Sequence, residues 1–316
     1  MSKKSSTPTS RIAPLGNLRL GLCCLFSEQP IRFRTTTVTA CARLEPAARR
    51  EKLAELCRSN AAALFNALEC CARLGIGSFR IGSQILPIKT HPALGYDLHE
   101  LPEGETIVDD FRHCGQLARK LGVRTTFHPD QFVVLSSPRE SVVESSIAEI
   151  EYQSEVAEWV GADVVNIHAG GAYDSRDAAL DRFARSLERL SPRARERLTV
   201  ENDDKLYSVA ELLPLCRREG LPLVYDVHHH RCRRDEFSVE EASELAAATW
   251  TREPLFHISS PKEGWDGPAC HRHHDYIHVA DFPICWRGRR MTVEIEAKAK
   301  ELAIARLQRD LGMVNA

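Results

Sequence analysis

Six side chains able to bind a cation or move a proton recur along this sequence at regular intervals: His128, His168, Glu201, Asp226, His257 and Glu296. Their separations, 40, 33, 25, 31 and 39 residues, are each about one strand–helix unit. Taken singly, a histidine or acid at the end of an apolar run is more often a satisfied core or surface residue. Six of them in register are not independent accidents. If the chain brings them together, unpaired imidazoles and stacked negative charges would be costly to desolvate. Divalent cations resolve that cost. A mixed imidazole and carboxylate set suits Zn²⁺ or Mn²⁺, and shared carboxylates suit a cluster rather than one ion. In the run Asp226-Val-His-His229-His230, the Asp-x-x-His spacing adds His229 as a further candidate.

The elements that must position these groups are legible. Candidate strands cover Leu18–Phe26, Gly77–Ser83, Val123–His128, Asp163–His168, Leu198–Glu201, Leu223–Asp226, Leu255–Ser259 and Thr292–Glu296. Many are continuous apolar runs, as expected of parallel strands buried on both faces. Helical stretches follow them, closed by Gly75, Gly122, Gly161 and Gly220, where a left-handed cap suits glycine. Ser137-Pro-Arg-Glu140, Ser208-Val-Ala-Glu211 and Ser238-Val-Glu-Glu241 each have the spacing of a capping box. Eight strands with helical sequence between them predict an α/β fold, a single (β/α)8 TIM barrel. Its polar strand ends would then meet at the carboxyl mouth. No GxGxxG follows a strand, so a nucleotide cofactor is not expected.

The composition narrows the classes further. A 316-residue chain with 43% hydrophobic and 27% charged residues is globular rather than disordered. Residues 1–17 are expected to be a disordered tail and 18–316 one barrel domain. The first ten residues lack the apolar core of a secretory signal, and no run reaches the length of a membrane span. Eleven cysteines, an odd number without a CxxC, read as free thiols in a reducing cytoplasm. A net charge of −2 gives no global basic field, so any grip on nucleic acid must come from local groups or bound cations.

In that frame the motifs become recognisable: the chain resembles the UV damage endonucleases. These are metal-dependent DNA repair nucleases of the barrel group that includes endonuclease IV and the xylose isomerase-like enzymes. The resemblance runs from about Arg19 to Leu307. It is carried by Arg19-Leu-Gly21, Phe79-Arg-Ile-Gly-Ser83 with Pro87 and His91, His128-Pro-Asp-Gln131, Ile167-His-Ala-Gly-Gly171 and Glu201-Asn-Asp203. Tyr225-Asp-Val-His-His229, His257-Ile-Ser-Ser-Pro-Lys262, His274-Asp-Tyr-Ile277 and Glu296-Ala-Lys298 complete the ordered set.

The resemblance implies two to three divalent ions, Mn²⁺ foremost, with Zn²⁺ or Mg²⁺ as alternatives. His128, His168 and Glu201 would hold the first. Glu201 would bridge to a second, held also by Asp226, His257 and Glu296, while His229 and His274 would serve a third. Glu201 and His91 would be catalytic, His91 lying close to the scissile phosphate. The substrate would be damaged double-stranded DNA, cut by a monomer on the 5′ side of a cyclobutane dimer or (6-4) photoproduct. Gln131 and Phe132 would probe the duplex opposite the lesion, with Asn202 and Lys298 supporting the ligands they adjoin and assisting substrate binding. The chain departs from family members at three places: Leu22 stands for a tyrosine, Leu255 for a modified lysine, and Phe132 where a tyrosine hydroxyl is common. The rival readings are a two-metal sugar isomerase or epimerase of the same barrel group and a non-catalytic damage- or metal-binding protein.

Overall fold

The computed structural model describes residues 17–313. The tail expected over residues 1–17 therefore lies, Asn17 apart, outside the described residues. Eight strands follow one another around a closed ring: β1 Leu18–Cys23, β2 Ser78–Ile81, β3 Arg124–Phe127, β4 Val165–His168, β5 Leu198–Glu201, β6 Leu223–Asp226, β7 Leu255–Ile258 and β8 Met291–Ile295. All neighbouring pairs are parallel, and β8 closes onto β1 through five register pairs. Helices connect them: α1 Val38–Ala42, α2 Pro46–Arg73, α3 Gly104–Leu121, α4 Glu140–Val160, α5 Arg176–Leu187 and α6 Pro192–Arg197. After β5 come α7 Val209–Glu219, α8 Val227–Cys232, α9 Val239–Ala247 and α10 Glu301–Asp310.

The expected (β/α)8 barrel is the fold, and the expected β5 and β6 have the observed limits. The expected β8 is shifted by one residue, and the expected β1, β2, β3, β4 and β7 ran one to three residues long, at one or both ends. At the carboxyl ends the chain leaves the ladder to present polar groups: Cys24, directly after β1, has φ +64°. Ser208 and Ser238 form the expected capping boxes of α7 and α9. Ser137 does not. α4 begins at Glu140 with Arg139 as its cap, and the Ser137 hydroxyl accepts the Arg139 amide instead. Pro138 disfavours helical backbone at the residue before it, and Leu135 and Ser136 are tied by their carbonyls to Ser186 and Arg182. Gly122, Gly161 and Gly220 close α3, α4 and α7 in the left-handed conformation, as their positions predicted.

Large apolar side chains fill the space between ring and helices, among them Phe79, Phe127, Phe183, Tyr225, Phe256 and Trp286, all essentially inaccessible to solvent. The ring is unevenly stitched. β3 and β4 share a single register pair, Phe127 with Val165. At the amino-terminal face Arg124 compensates, donating to both oxygens of Asp163 at 3.0 and 2.9 Å and to Thr292 Oγ1 of β8 at 3.1 Å. An ion pair on that face serves stability, since barrel chemistry gathers at the opposite mouth.

Candidate metal centre

Because every strand is parallel and starts at the same face, the last residues of β4, β5 and β6 (His168, Glu201 and Asp226) emerge side by side at one mouth. Glu201 is its centre. The carboxylate is buried, with Oε2 accepting from Asn166 Nδ2 at 2.6 Å and lying 3.1 Å from His128 Nε2 and 3.9 Å from His168 Nε2. Its Oε1 lies 3.1 Å from His257 Nδ1 and 3.4 Å from His229 Nδ1. Four imidazoles thus surround one carboxylate. Asp226, fully buried, accepts the His229 amide at 2.8 Å, and its second oxygen is 3.6 Å from His229 Nδ1. Two groups have ligand atoms close enough to share an ion: His128, His168 and Glu201, and Glu201, Asp226 and His229.

Below this layer lies a second one. Glu294 and Glu296 are two apart near the end of β8, so the pleat turns both toward the barrel axis. Arg80 of β2 stands between them, with Nε 2.8 Å from Glu294 and an Nη 2.6 Å from Glu296. Thr126 donates to Glu294 at 2.5 Å, and His257 Nε2 approaches the same carboxylate at 3.2 Å. Opposite Glu294 the chain has no side chain to spare: a Cβ on Gly21 would sit 3.1 Å from the Glu294 Cγ.

The electrostatics follow from crowding. Burial works against the Glu201 charge, yet His257 and His168 outweigh it and hold the carboxyl well below the usual range. Burial also disfavours a charged His257, but Glu201 overrides it and lifts the ring to about 10. Burial alone dominates at His168, whose affinity for a proton is lowered. Glu294, despite its burial, is drawn down to about 2 by Arg80 and His257. Several buried atoms still lack a hydrogen-bond partner among the described residues: Asp226 Oδ2, His168 Nδ1 and both His257 ring nitrogens.

The remaining expected site residues are placed as follows. His229 lies with Glu201 and Asp226 at the mouth, where the Asp-x-x-His spacing put it. His274 is in neither of the two ligand groups: its Nδ1 accepts the Tyr276 amide at 2.9 Å and its ring packs on His278. The neighbouring His273 is the ring that reaches Glu296, at 3.7 Å. His91 is tied into its own loop, its Nδ1 accepting from Ala93 and Leu94. Gln131 and Phe132 are exposed on the loop after β3, Phe132 to 79%. Asn202, expected to touch substrate, is buried with both ends of its carboxamide bonded to the Asp226 backbone at 2.9 Å, so it positions Asp226. Lys298 is exposed and lines a cavity of about 530 Å³ with Arg80, His273 and Glu296.

Four residues gained a place that sequence reasoning had not given them: Asn166, Arg80, Glu294 and His273. For Glu294 a signal existed, since an acid two residues before Glu296 must share its face. Asn166, two residues before His168, carries the same signal, whereas Arg80 and His273 are strand and loop residues without a periodic signature.

Imidazoles and carboxylates converging at the carboxyl mouth of a (β/α)8 ring define an enzyme of the TIM-barrel class. The chain belongs to the UV-endonuclease UvdE family, whose model it matches over residues 18–316, and is a hydrolase. It is 31% identical over 304 residues to the UV DNA damage endonuclease of Bacillus velezensis, covering 92% of either chain. It is also similar to the crystal structure of SacUVDE, with TM-score 0.83, 26% identity, and coverage of 94% of this chain and 98% of that one. Endonuclease IV from Thermus thermophilus shares the fold, with TM-score 0.55 and 16% identity, over 79% of this chain and 94% of that one.

Proposed function

We propose that the protein is a divalent-metal-dependent DNA repair endonuclease that hydrolyses the phosphodiester on the 5′ side of ultraviolet photoproducts. The observation that carries this reading is the buried Glu201 carboxylate ringed by His128, His168, His229 and His257. The donor set fits divalent ions. Buried Asp226 Oδ2 and His168 Nδ1 have no hydrogen-bond partner among the described residues, and such atoms rarely go unsatisfied. Mixed nitrogen and oxygen donors favour Mn²⁺ or Zn²⁺ over the all-oxygen preference of Mg²⁺. His128, His168 and Glu201 would hold one ion, and Glu201, Asp226 and His229 a second, with His257 and Glu296 adjoining. Bound there, the ions supply an acidified water, offset charge on the phosphate and stabilise the departing 3′ oxygen.

The chain's own groups then have distinct tasks. Glu201 joins the two groups of ligands. Asn166 and Asn202 fix Glu201 and Asp226 through hydrogen bonds, as supporting groups around metal ligands do. Arg80 orients Glu296 and balances the acids of β8. His91 contacts the scissile phosphate, and Lys298 meets the backbone beside it. Gln131 and Phe132 enter the duplex where damaged bases unstack, because a damaged step costs less to open. Eleven free cysteines support a place in the reducing cytoplasm. No helix among the described residues is long and apolar enough to cross a membrane.

The test is incubation with Mn²⁺ and ultraviolet-irradiated supercoiled plasmid. Nicking of irradiated but not untreated plasmid, with ends carrying a 3′ hydroxyl, is the expected result. Turnover of a ketose without nicking would replace this reading by the isomerase one.

A further inference from the structure

Phe132 has an exposed aromatic counterpart that the site does not use. Tyr173 lies on the loop after β4, five residues beyond His168, and is 50% exposed. Its backbone is strained, with φ +51°, a conformation that a tyrosine rarely adopts without reason. The surrounding contacts hold it there. The ring covers Gly171 so closely that a Cβ would sit 3.1 Å from its edge, and the Arg182 guanidinium stands 5.6 Å from its centroid. Arg182 is in turn fixed by Asp174 at 2.8 Å and by the Ser136 carbonyl at 2.9 Å.

Those contacts also join the Tyr173 loop to the Phe132 loop. Gly170, at φ +90°, packs so tightly that a Cβ would lie 2.6 Å from Val134 Cγ1 and Ser136 Oγ. Ser136 Oγ donates to the Gly171 carbonyl at 3.4 Å. Two exposed aromatics therefore ride on one braced pair of loops at the mouth. Arg182 is neutralised by Asp174, so the ring, rather than a free charge, is what this surface offers to DNA.

We propose that Tyr173 is a second duplex-reading aromatic, stacking on a base exposed at the step that Phe132 opens. It is a specificity-determining contact rather than a catalytic one. The proposal rests on the reading that the Gln131–Phe132 loop meets the duplex, and it adds a residue with its own signature. An aromatic ring stacks on any base face, and a preorganised one loses little entropy in doing so.

The test uses the full chain with Mn²⁺, in an E201Q background for binding, and a duplex carrying one defined photoproduct beside a 2-aminopurine. Y173A should weaken binding to the damaged duplex by about 5- to 100-fold and leave the probe brighter than wild type does. Y173F should keep wild-type affinity and quenching, whereas Y173L should behave as Y173A. Binding to undamaged duplex and the melting temperature should stay unchanged in all three. Unchanged damaged-DNA affinity in Y173A, or equal losses on damaged and undamaged duplex, would overturn the proposal. F132A, measured alongside, separates the two claims: a loss in F132A with none in Y173A leaves the wedge standing and removes Tyr173.

Discussion

A carboxylate shared by four imidazoles has no neutral substitute. Glu201→Gln preserves size and one acceptor, but removes the charge that His128, His168, His229 and His257 face. The expected outcome is a fall in nicking rate by several orders of magnitude with damaged-DNA binding retained, read by a plasmid assay and a mobility shift. Glu294 allows a second prediction at this scale, made for metal-free protein. Its pKa in the folded chain, about 2, lies below the ordinary glutamate value, so the folded state binds fewer protons than the unfolded one. The stability it contributes, on the order of 3 kcal/mol, is complete above about pH 4.5 and disappears as pH falls toward 2. Urea titrations between about pH 5.5 and 3 should show this slope in the wild type, and E294Q should make it shallower without abolishing it, because Glu201 and Glu296 are also held low.

The elements explain both what could be read in advance and what could not. Strand ends were legible because one βα unit separates successive ligands, and β5 and β6 end at Glu201 and Asp226 as expected. The choice between His273 and His274 was not legible. That loop has no period, and the orientation is set by the His274 amide donating to the Ser260 carbonyl and the Tyr276 amide donating to the His274 ring. Asn202 was legible as a group supporting the ligands beside it, but only the packing of β5 against β6 shows that its carboxamide is spent on Asp226. Capping makes the same point. Ser208→Ala removes a reciprocal cap on α7 and should cost about 1 kcal/mol in denaturant unfolding. Ser137→Ala, which caps no helix, should cost less.

For the whole molecule, the ions are expected to act as ligands of the native state alone. The mouth assembles residues from β3–β4 to β8, so an unfolded chain cannot reproduce the site, and binding must add to stability by mass action. Exhaustive chelation should abolish nicking and lower the melting temperature, and Mn²⁺ should restore both. In a chain of net charge −2, the same ions would provide the local positive potential that draws DNA to the mouth.

The single register pair between β3 and β4 has a consequence for compliance. A cylinder yields first at its loosest stitch, and this one runs beneath the two loops that carry Phe132 and Tyr173. Deuterium should therefore replace the Asn166 amide proton, which faces β3 as Val164 does, sooner than that of Val293, which sits in the five-pair junction with β1. A bulky, distorted duplex would then be met by the most pliant arc of the rim while the opposite arc keeps its shape.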